Sequence, residues 1–300
     1  MTVRNFRHRI EYAALRTVMG IAGPLPPRVA ASVGILAGEI AYRVLRVRRR
    51  VVEENLAATL GLTLDPPGLA RIARGVYHHL GRTLFEYGRF RRLDRARLEA
   101  WVEVQGFEQI EAAHAHGRGV ILVSGHFGNW ELLGAVVSMR GYPVHFVARE
   151  QRNPYVDRFM NESRGHLRVG LAHVGPELRR VYRRLRAGEI LGMLFDQDGG
   201  PNGEFVDVLG RVASVQTGAA VLALRTGAPI LPGAIARLPD GRHRVIFEEP
   251  LWPDPSAPPA AEVRRLVTAY SASLERFILR YPEQYYWVHR RWRSRPATGT

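Results

Sequence analysis

The chain has 300 residues, of which 46% are hydrophobic and 24% are charged, and this composition excludes a disordered or collagen-like protein. It has no cysteine, which excludes disulfide bonds, zinc-thiolate sites and thiol nucleophiles. All 43 basic residues are arginines, which excludes lysine Schiff bases and a Walker A loop, and the net charge is +15. This excess predicts an acidic partner, such as nucleic acid, an anionic membrane surface or an acidic carrier.

The pattern of residues 1–100 predicts a helical part of the chain. Within it, an apolar, Gly/Ala-rich segment ends in four arginines at positions 46, 48, 49 and 50. This pattern fits a helix lying in the interface of an anionic membrane, and it fits equally well a core helix followed by a solvated basic face. Prolines and charges interrupt the apolar stretch Thr17–Leu45, so we expect neither a spanning helix nor a signal peptide. The predicted helices are Ile10–Ile21, Val29–Leu45 and Leu69–Arg92.

From residue 101 to residue 300, short apolar runs alternate with helical patterns, which predicts an α/β fold with a central, largely parallel sheet flanked by helices. We expect this part and the helical part to form one integrated domain. The predicted strands are Gly119–Ser124, Val144–Arg149, Ile190–Asp196, Pro229–Leu238 and His243–Glu248. The predicted helices are Trp130–Arg140, Pro154–Arg168, Pro176–Ala187, Val215–Thr226 and one that follows the proline-rich loop Pro250–Pro259.

The segment Val120–Glu131, VILVSGHFGNWE, has the strongest catalytic pattern. A buried strand ends at Ser124 and a helix begins near Asn129, a favourable N-cap residue, so His126 lies where ligands bind in open α/β sheets. A histidine there can act as a general base, and Glu131 can orient its ring and stabilise the imidazolium. Amides of the first helical turn can bind a developing oxyanion. The alternative is a capping role for His126.

Two more polar clusters follow predicted strands, so we expect all three clusters along one edge of the sheet. In the first, Arg149-Glu-Gln-Arg-Asn153-Pro, the guanidinium of Arg149 can bind phosphate in a bidentate manner. The second, Asp196-Gln197-Asp198-Gly-Gly, is compatible with metal binding, with orientation of a histidine or with a tight turn. We predict no metal site. The predicted substrate-binding residues are Asn129, Arg149, Asn153, Asp196 and Gln197.

Other patterns carry less information. The arginine-rich helix that includes residues 179–186 predicts a solvated face or a carrier-docking surface. No G-x-S-x-G elbow occurs, which argues against an α/β-hydrolase, and no nucleic-acid-binding motif accompanies the positive charge. We therefore expect no nucleic-acid partner.

The His126-x4-Glu131 box, the segments AREQRNP and FDQDGG, and the closing PEQYYWVHRRWRSRP (Pro282–Pro296) together resemble the bacterial late acyltransferases of lipid A biosynthesis. These belong with the lysophospholipid-type acyltransferases. The resemblance covers essentially the whole chain. The histidine box is shared by many acyltransferases, whereas the closing segment is much more specific.

The resemblance implies transfer of a fatty acyl chain from acyl carrier protein, or from acyl-CoA, to a hydroxyl of a membrane glycolipid. The resemblance further implies that the reaction takes place at the cytoplasmic face of the inner membrane, without a metal, a further cofactor or a covalent acyl-enzyme. Many family members begin with a clear membrane-spanning helix. This chain has only the interrupted Thr17–Leu45 stretch, so we expect peripheral or monotopic attachment.

The resemblance also implies roles for individual residues. His126 is the general base, Glu131 orients it, and Asp198 lies near this pair as a third catalytic residue. Arg149 binds the phosphate of the acceptor. Glu204 is an alternative partner for His126, because a related mannolipid acyltransferase draws its acid from about this region.

Three readings of the function follow. The favoured one is an O-acyltransferase acting on a lipid A precursor, with acidic acyl carrier protein and an anionic membrane surface as partners. The second is acylation of another anionic glycolipid, such as a phosphatidylinositol mannoside, and the third is a non-enzymatic basic membrane-binding protein. The sequence leaves open the acyl chain length, the donor, the acceptor hydroxyl and the oligomeric state.

Overall fold

The structure is a computed structural model that describes residues 3–61, 63–173 and 178–296. It begins with four helices: α1 (Val3–Ala22), α2 (Pro27–Arg43), α3 (Arg49–Leu60) and α4 (Pro66–Tyr87). The three predicted N-terminal helices are confirmed, whereas α3 was not predicted. Helix α4 starts earlier than predicted because the Asp65 carboxylate accepts a hydrogen bond from the Gly68 amide (2.8 Å) and two prolines occupy first-turn positions that need no N–H donor.

The remaining elements alternate between helices and strands. Helices α5 to α11 are Arg95–Trp101, Phe107–Ala115, Trp130–Ser138, Pro154–His166, Leu178–Arg186, Gly218–Thr226 and Pro259–Arg280. Strands β1 to β9 are Val102–Gln105, Val120–Ser124, Val144–Ala148, Val169–His173, Ile190–Leu194, Glu204–Val208, Arg211–Val215, Ile230–Arg237 and His243–Phe247. The start of the predicted helix Pro176–Ala187 lies outside the described residues.

Within the described part of the chain, seven strands form one sheet in the order β1-β9-β8-β2-β5-β3-β4. The pairs β8–β2, β2–β5, β5–β3 and β3–β4 are parallel, and β9 runs antiparallel to β8. The predicted α/β fold with a largely parallel sheet is therefore confirmed. Strand β2 lies next to β5, although 65 residues separate the end of β2 from the start of β5. Ser124 and Leu194 are register partners, so the two strands end side by side.

Both faces of β2 are buried, as its continuous apolar run predicts. Ile121 and Val123 belong to a core that includes residues of α3, α4, α10 and α11, whereas Val120 and Leu122 belong to a core shared with α5, α6 and α7. Apolar residues of the N-terminal helices thus share a core with the sheet. The division into residues 1–100 and 101–300 remains a prediction.

One predicted element is wrong at its start. Val215 was assigned to a helix, but it ends β7, which pairs with β6 in an antiparallel hairpin. The hairpin turn has positive φ at Leu209 (56°) and Gly210 (72°). A turn with two such residues is usually signalled by Asn-Gly or Asp-Gly, and leucine at its first position concealed the hairpin.

No helix in the described ranges combines the length and the apolar character needed to cross a bilayer.

Candidate active site

His126 and Asp196 meet at the carboxyl edge of the sheet. Ser124 and Leu194 are register partners at the ends of the parallel strands β2 and β5, and His126 and Asp196 each lie two residues further on. The two side chains are therefore brought side by side. His126 Nδ1 lies 2.7 Å from Asp196 Oδ1, and the backbone N–H of His126 donates to Asp196 Oδ2 at 2.9 Å.

The geometry of this pair determines the charge of each group. Burial disfavours the imidazolium of His126, but the adjacent Asp196 carboxylate outweighs burial, and the pKa of His126 lies above 6.5. Burial disfavours the ionised form of Asp196, but His126 outweighs it and holds the pKa of that carboxyl well below its usual range. Asp196 is therefore an ionised acceptor. With the Nδ1 proton donated to Asp196, Nε2 carries the lone pair of a general base.

Aromatic rings surround the imidazole of His126. The ring of Trp130 lies 5.1 Å from it between centroids, that of Tyr286 5.8 Å and that of His289 6.4 Å. Burial lowers the pKa of His289 to about 4, so this second histidine is neutral at pH 7. The side chain of His126 is 17% exposed, so its ring is partly accessible from outside.

Side chains of α4 form hydrogen bonds with the loop that carries His126. His79 Nε2 lies 3.2 Å from the Gly128 carbonyl oxygen, and Asn129 Nδ2 donates to Glu86 at 2.9 Å. Glu86 in turn accepts two hydrogen bonds from the buried guanidinium of Arg237, at 3.0 and 2.8 Å. Gly128 has φ 59°, and a Cβ there would lie 1.7 Å from a backbone oxygen of β8, so only glycine fits.

Glu131 does not make the predicted contact with His126. Its buried carboxylate is held by Arg164, with Nε and Nη2 donating to its two oxygens at 3.0 and 2.7 Å. Arg164 comes from α8, and its guanidinium also lies over the ring of Phe146. A buried carboxylate needs such a paired cation, and a bidentate guanidinium occupies both of its oxygens. The histidine partner in the structure is Asp196, which the sequence analysis had assigned to substrate binding.

The predicted substrate-binding residues differ in their surroundings. Asn129 lies at the N-cap position of α7 as predicted, but its side chain bonds Glu86 instead of capping the helix. Asn153 caps α8 and donates to the His8 carbonyl and to Glu11, and it thereby joins α8 to α1. Arg149 is exposed and has no hydrogen bond or ion pair within the described ranges, so its guanidinium is available to a ligand.

Gln197 and Asp198 lie directly after Asp196. Gln197 is exposed, and its Nε2 lies 3.5 Å from His126 Nε2, the ring nitrogen that does not contact Asp196. Asp198 accepts hydrogen bonds from the Ser294 amide and hydroxyl, at 3.2 and 2.9 Å, and makes no described contact with His126.

The alternative partner, Glu204, forms an ion pair with Arg264 at 2.8 Å. It lies on the β6–β7 hairpin and makes no described contact with His126. Among the acids considered from the sequence, Asp196 is therefore the one that the structure places against the imidazole.

Sequence reasoning missed the functional surroundings supplied by residues 284–292, which we term the strap. The strap provides Tyr286 and His289 beside the base, and Tyr285 with its buried hydroxyl 3.4 Å from His289 Nε2. The signal was available in the sequence, because YYWVHRRW concentrates aromatic and imidazole groups that have no place on a solvated surface. Arg164 carried no comparable signal.

The described residues contain no group of three or more histidine and acidic side chains arranged to hold a metal ion. The His126–Asp196 pair is instead an acid-oriented imidazole at a strand-to-helix turn, the arrangement that activates a hydroxyl nucleophile.

A family model described as bacterial lipid A biosynthesis acyltransferase matches residues 3–294. The chain belongs to this family and is an O-acyltransferase. The resemblance noted in the sequence is thereby confirmed, and a purely non-enzymatic membrane-binding role is set aside.

Individual relatives agree with this assignment. The lipid A biosynthesis lauroyltransferase of Escherichia coli strain K12 is 28% identical over 93% of this chain and 90% of its own length. The lipid A biosynthesis palmitoleoyltransferase of the same strain is 28% identical over 91% of this chain and 88% of its own length. A phosphatidylinositol mannoside acyltransferase of Mycobacterium tuberculosis is 30% identical over a shorter part, 47% of this chain and 44% of its own length.

Proposed function

We propose that the protein transfers a fatty acyl chain from acyl carrier protein, or from acyl-CoA, to a hydroxyl of a lipid A precursor, with His126 as the general base. The observation that carries the proposal is the His126–Asp196 pair at the ends of two adjacent parallel strands, in a chain of this family. The two relatives that align over about nine-tenths of the chain are named for lipid A biosynthesis.

In the proposed reaction, His126 Nε2 takes the proton of the acceptor hydroxyl while the hydroxyl oxygen attacks the thioester carbonyl carbon. The tetrahedral intermediate then collapses with cleavage of the carbon–sulfur bond. The imidazolium returns its proton to the leaving thiolate, so that the products are the ester and the free thiol. Asp196 orients the ring and stabilises its charged form. No cofactor beyond the acyl donor enters this scheme.

The oxyanion of the intermediate needs hydrogen-bond donors. The amides of His126, Phe127 and Gly128 already donate within the protein, to Asp196 and to the carbonyls of Gly125 and Gln284. We therefore assign this role to the first amides of α7, which begins at Trp130. Arg149 is the proposed contact for the phosphate of the acceptor, because its exposed guanidinium has no described partner.

The decisive experiment supplies labelled acyl carrier protein and a phosphorylated lipid A precursor to the purified protein in mild detergent, beside its His126→Ala variant. We expect label in the glycolipid with the wild-type protein only. Transfer by both forms would overturn the assignment of the base. Absence of transfer by wild-type protein that is folded and binds both substrates would overturn the acceptor.

Phosphatidylinositol mannoside is the second candidate acceptor. It is favoured by the 30% identity over 146 residues to the mycobacterial acyltransferase. The same assay with this glycolipid separates the two candidates, since only the true acceptor gains label at an enzyme concentration far below that of the substrate.

We further propose that the N-terminal helices attach the enzyme peripherally to the cytoplasmic face of the inner membrane. Large exposed apolar side chains concentrate in this region, on α1, α2 and the turn that follows α2. They are Phe6, Ile10, Ile21, Val29, Ile35, Leu36, Ile40, Val44, Leu45 and Val47. The basic cluster at residues 46–50 supplies the positive charge that an anionic leaflet attracts. The overall excess of arginine would likewise attract the acidic acyl carrier protein.

A further inference from the structure

The strap is hydrogen-bonded to the backbone of the loop that carries His126. The Tyr286 amide donates to the His126 carbonyl at 3.0 Å, and the Gly128 amide donates to the Gln284 carbonyl at 2.9 Å. Between these two bonds, Phe127 and Tyr285 form an antiparallel bridge. The backbone from the His126 carbonyl to the Gly128 amide is therefore hydrogen-bonded to the strap, which links the position of His126 to that of the strap.

The strap is itself held by the side chain of Asn55 on α3. Asn55 Nδ2 donates to the carbonyl oxygens of Trp287 and His289, both at 2.9 Å. The amide group is buried, so water does not replace these bonds when they are lost. Arg48, just before α3, adds a hydrogen bond from Nη1 to the Val288 carbonyl at 3.0 Å. Three consecutive strap carbonyls thus accept hydrogen bonds from the N-terminal helical part.

The strap side chains show why its placement matters for the base. Tyr286 and His289 pack around the His126 ring, and His289 Nδ1 is buried without a hydrogen-bond partner in the described part of the chain. Asp196, His126, Arg48 and Arg291 are the charged or titratable groups that act on His289. If the strap were displaced, water would reach these groups and the environment of the His126 imidazole would change.

We propose that Asn55 is a positioning residue for acyl transfer, which acts through the strap on the alignment of His126 with Asp196. The proposal rests on the proposed function, because it takes His126 to be the base. Asn55 lies on a different element from both members of the pair, and its described hydrogen bonds join it to the carbonyls of the strap and, through its own backbone, to α3. Its effect on the reaction is therefore indirect.

The test compares wild-type protein with Asn55→Asp, which keeps the shape of the side chain but removes both donors, and with Asn55→Ala. The control is Glu54→Ala, at the neighbouring exposed position that pairs only with Arg50. We expect kcat per folded molecule to fall about a hundredfold in both Asn55 variants, since a misplacement of about 1 Å can cost this factor. KM for the acyl donor should stay within twofold, and the control should match wild type.

A second readout does not depend on turnover. The proton that His126 Nδ1 shares with Asp196 should give a downfield proton resonance, assigned by its absence in His126→Ala. We expect this resonance to shift or broaden in the Asn55 variants and to persist in Glu54→Ala. If wild type shows the resonance but no transfer, the proposed function fails while the positioning role is still decided by this signal.

Should the Asn55 variants not fold, Arg48→Ala removes one partly buried contact to the same strap, and we expect a several-fold loss of kcat with unchanged KM. A purely structural role for Asn55 predicts a lower melting temperature with wild-type kcat per folded molecule and an unmoved resonance. That result would overturn the proposal.

Discussion

Replacement of Asp196 by asparagine tests the central pair most sharply. The two carboxylate oxygens accept from the ring and from the backbone of the same residue, at 2.7 and 2.9 Å. Asparagine has one acceptor oxygen, so one of these N–H groups must face an amide NH2, and the negative charge is lost. The substitution therefore disturbs both the tautomer of His126 and the stability of its imidazolium, while the volume of the side chain is unchanged.

The expected magnitude follows from the same geometry. Where an aspartate orients a catalytic histidine in a serine protease, its replacement by asparagine lowers kcat by about 10⁴, and a buried carboxylate with two bonds to one histidine occupies the same position here. A factor of 10⁴ corresponds to about 5.4 kcal/mol of transition-state stabilisation. We expect a loss of 10³ to 10⁴ in kcat for Asp196→Asn, about as large as for His126→Ala.

The pH dependence gives an independent check. His126 acts as a base only when it is deprotonated, so kcat is high above its pKa and is lost as the pH falls through that value. Burial lowers the pKa and Asp196 raises it more, so the wild-type midpoint should lie above 6.5. Without the carboxylate, burial still lowers the pKa of His126 while its main raising influence is lost, so the midpoint of the residual activity should move to lower pH.

The assay is initial-rate acyl transfer from labelled acyl carrier protein between pH 5 and pH 9, with Asp198→Asn as the comparison in the same loop. Asp198 contacts Ser294, so we expect its variant to keep at least a tenth of wild-type kcat with an unchanged midpoint. Retention of more than a tenth of kcat by Asp196→Asn, with an unmoved midpoint, would refute the reasoning.

Two further predictions follow from buried and exposed groups. Glu131→Gln leaves the Arg164 guanidinium without its buried counter-ion, so we expect a loss of about 3–5 kcal/mol in the free energy of unfolding by denaturant titration, and a kcat per folded molecule that falls less than in Asp196→Asn. A loss of kcat without destabilisation would instead restore Glu131 as the direct partner of the base. Leu45→Ser should weaken sedimentation with anionic vesicles about tenfold, because it removes an apolar side chain worth about 1.5–3 kcal/mol. Leu279→Ser, at a similarly exposed position on α11, should bind like wild type, and equal losses in both variants would contradict attachment through the N-terminal helices.

The sequence was sufficient to predict the fold class. The continuous apolar run of β2 and the glycines around His126 are local signals, and they predicted the buried strand, the turn and the helix that follows. The acid partner depends on strand order instead. Nothing in the residues near His126 shows that β5 is the strand beside β2, so Glu131, the nearest acid in sequence, was chosen over Asp196.

Other features that the sequence does not show also depend on long-range contacts. Asn153 and Asn129 have the residue type of ligand-binding groups, but their side chains are used to join elements that are distant in sequence, 142 to 145 residues apart in one case and 43 in the other. Short strands such as β4, with five residues of mixed burial, show too little alternation of apolar and polar residues to be recognised from the sequence. The predictions that succeeded were those with a local physical cause.

The hydrogen bonds of Asn55 also have a consequence for the order of folding. Their acceptors lie 232 and 234 residues further along the chain, so the helix that carries Asn55 is synthesised long before the segment that it holds. Closing so long a loop is entropically unfavourable, and local helix formation does not offset this cost. Contacts of this sequence separation therefore form slowly. We infer that the sheet and the N-terminal helices can assemble first, and that the loop around the base becomes rigid only in a late step, when the strap docks. Catalytic competence should therefore lag behind the recovery of secondary structure during refolding.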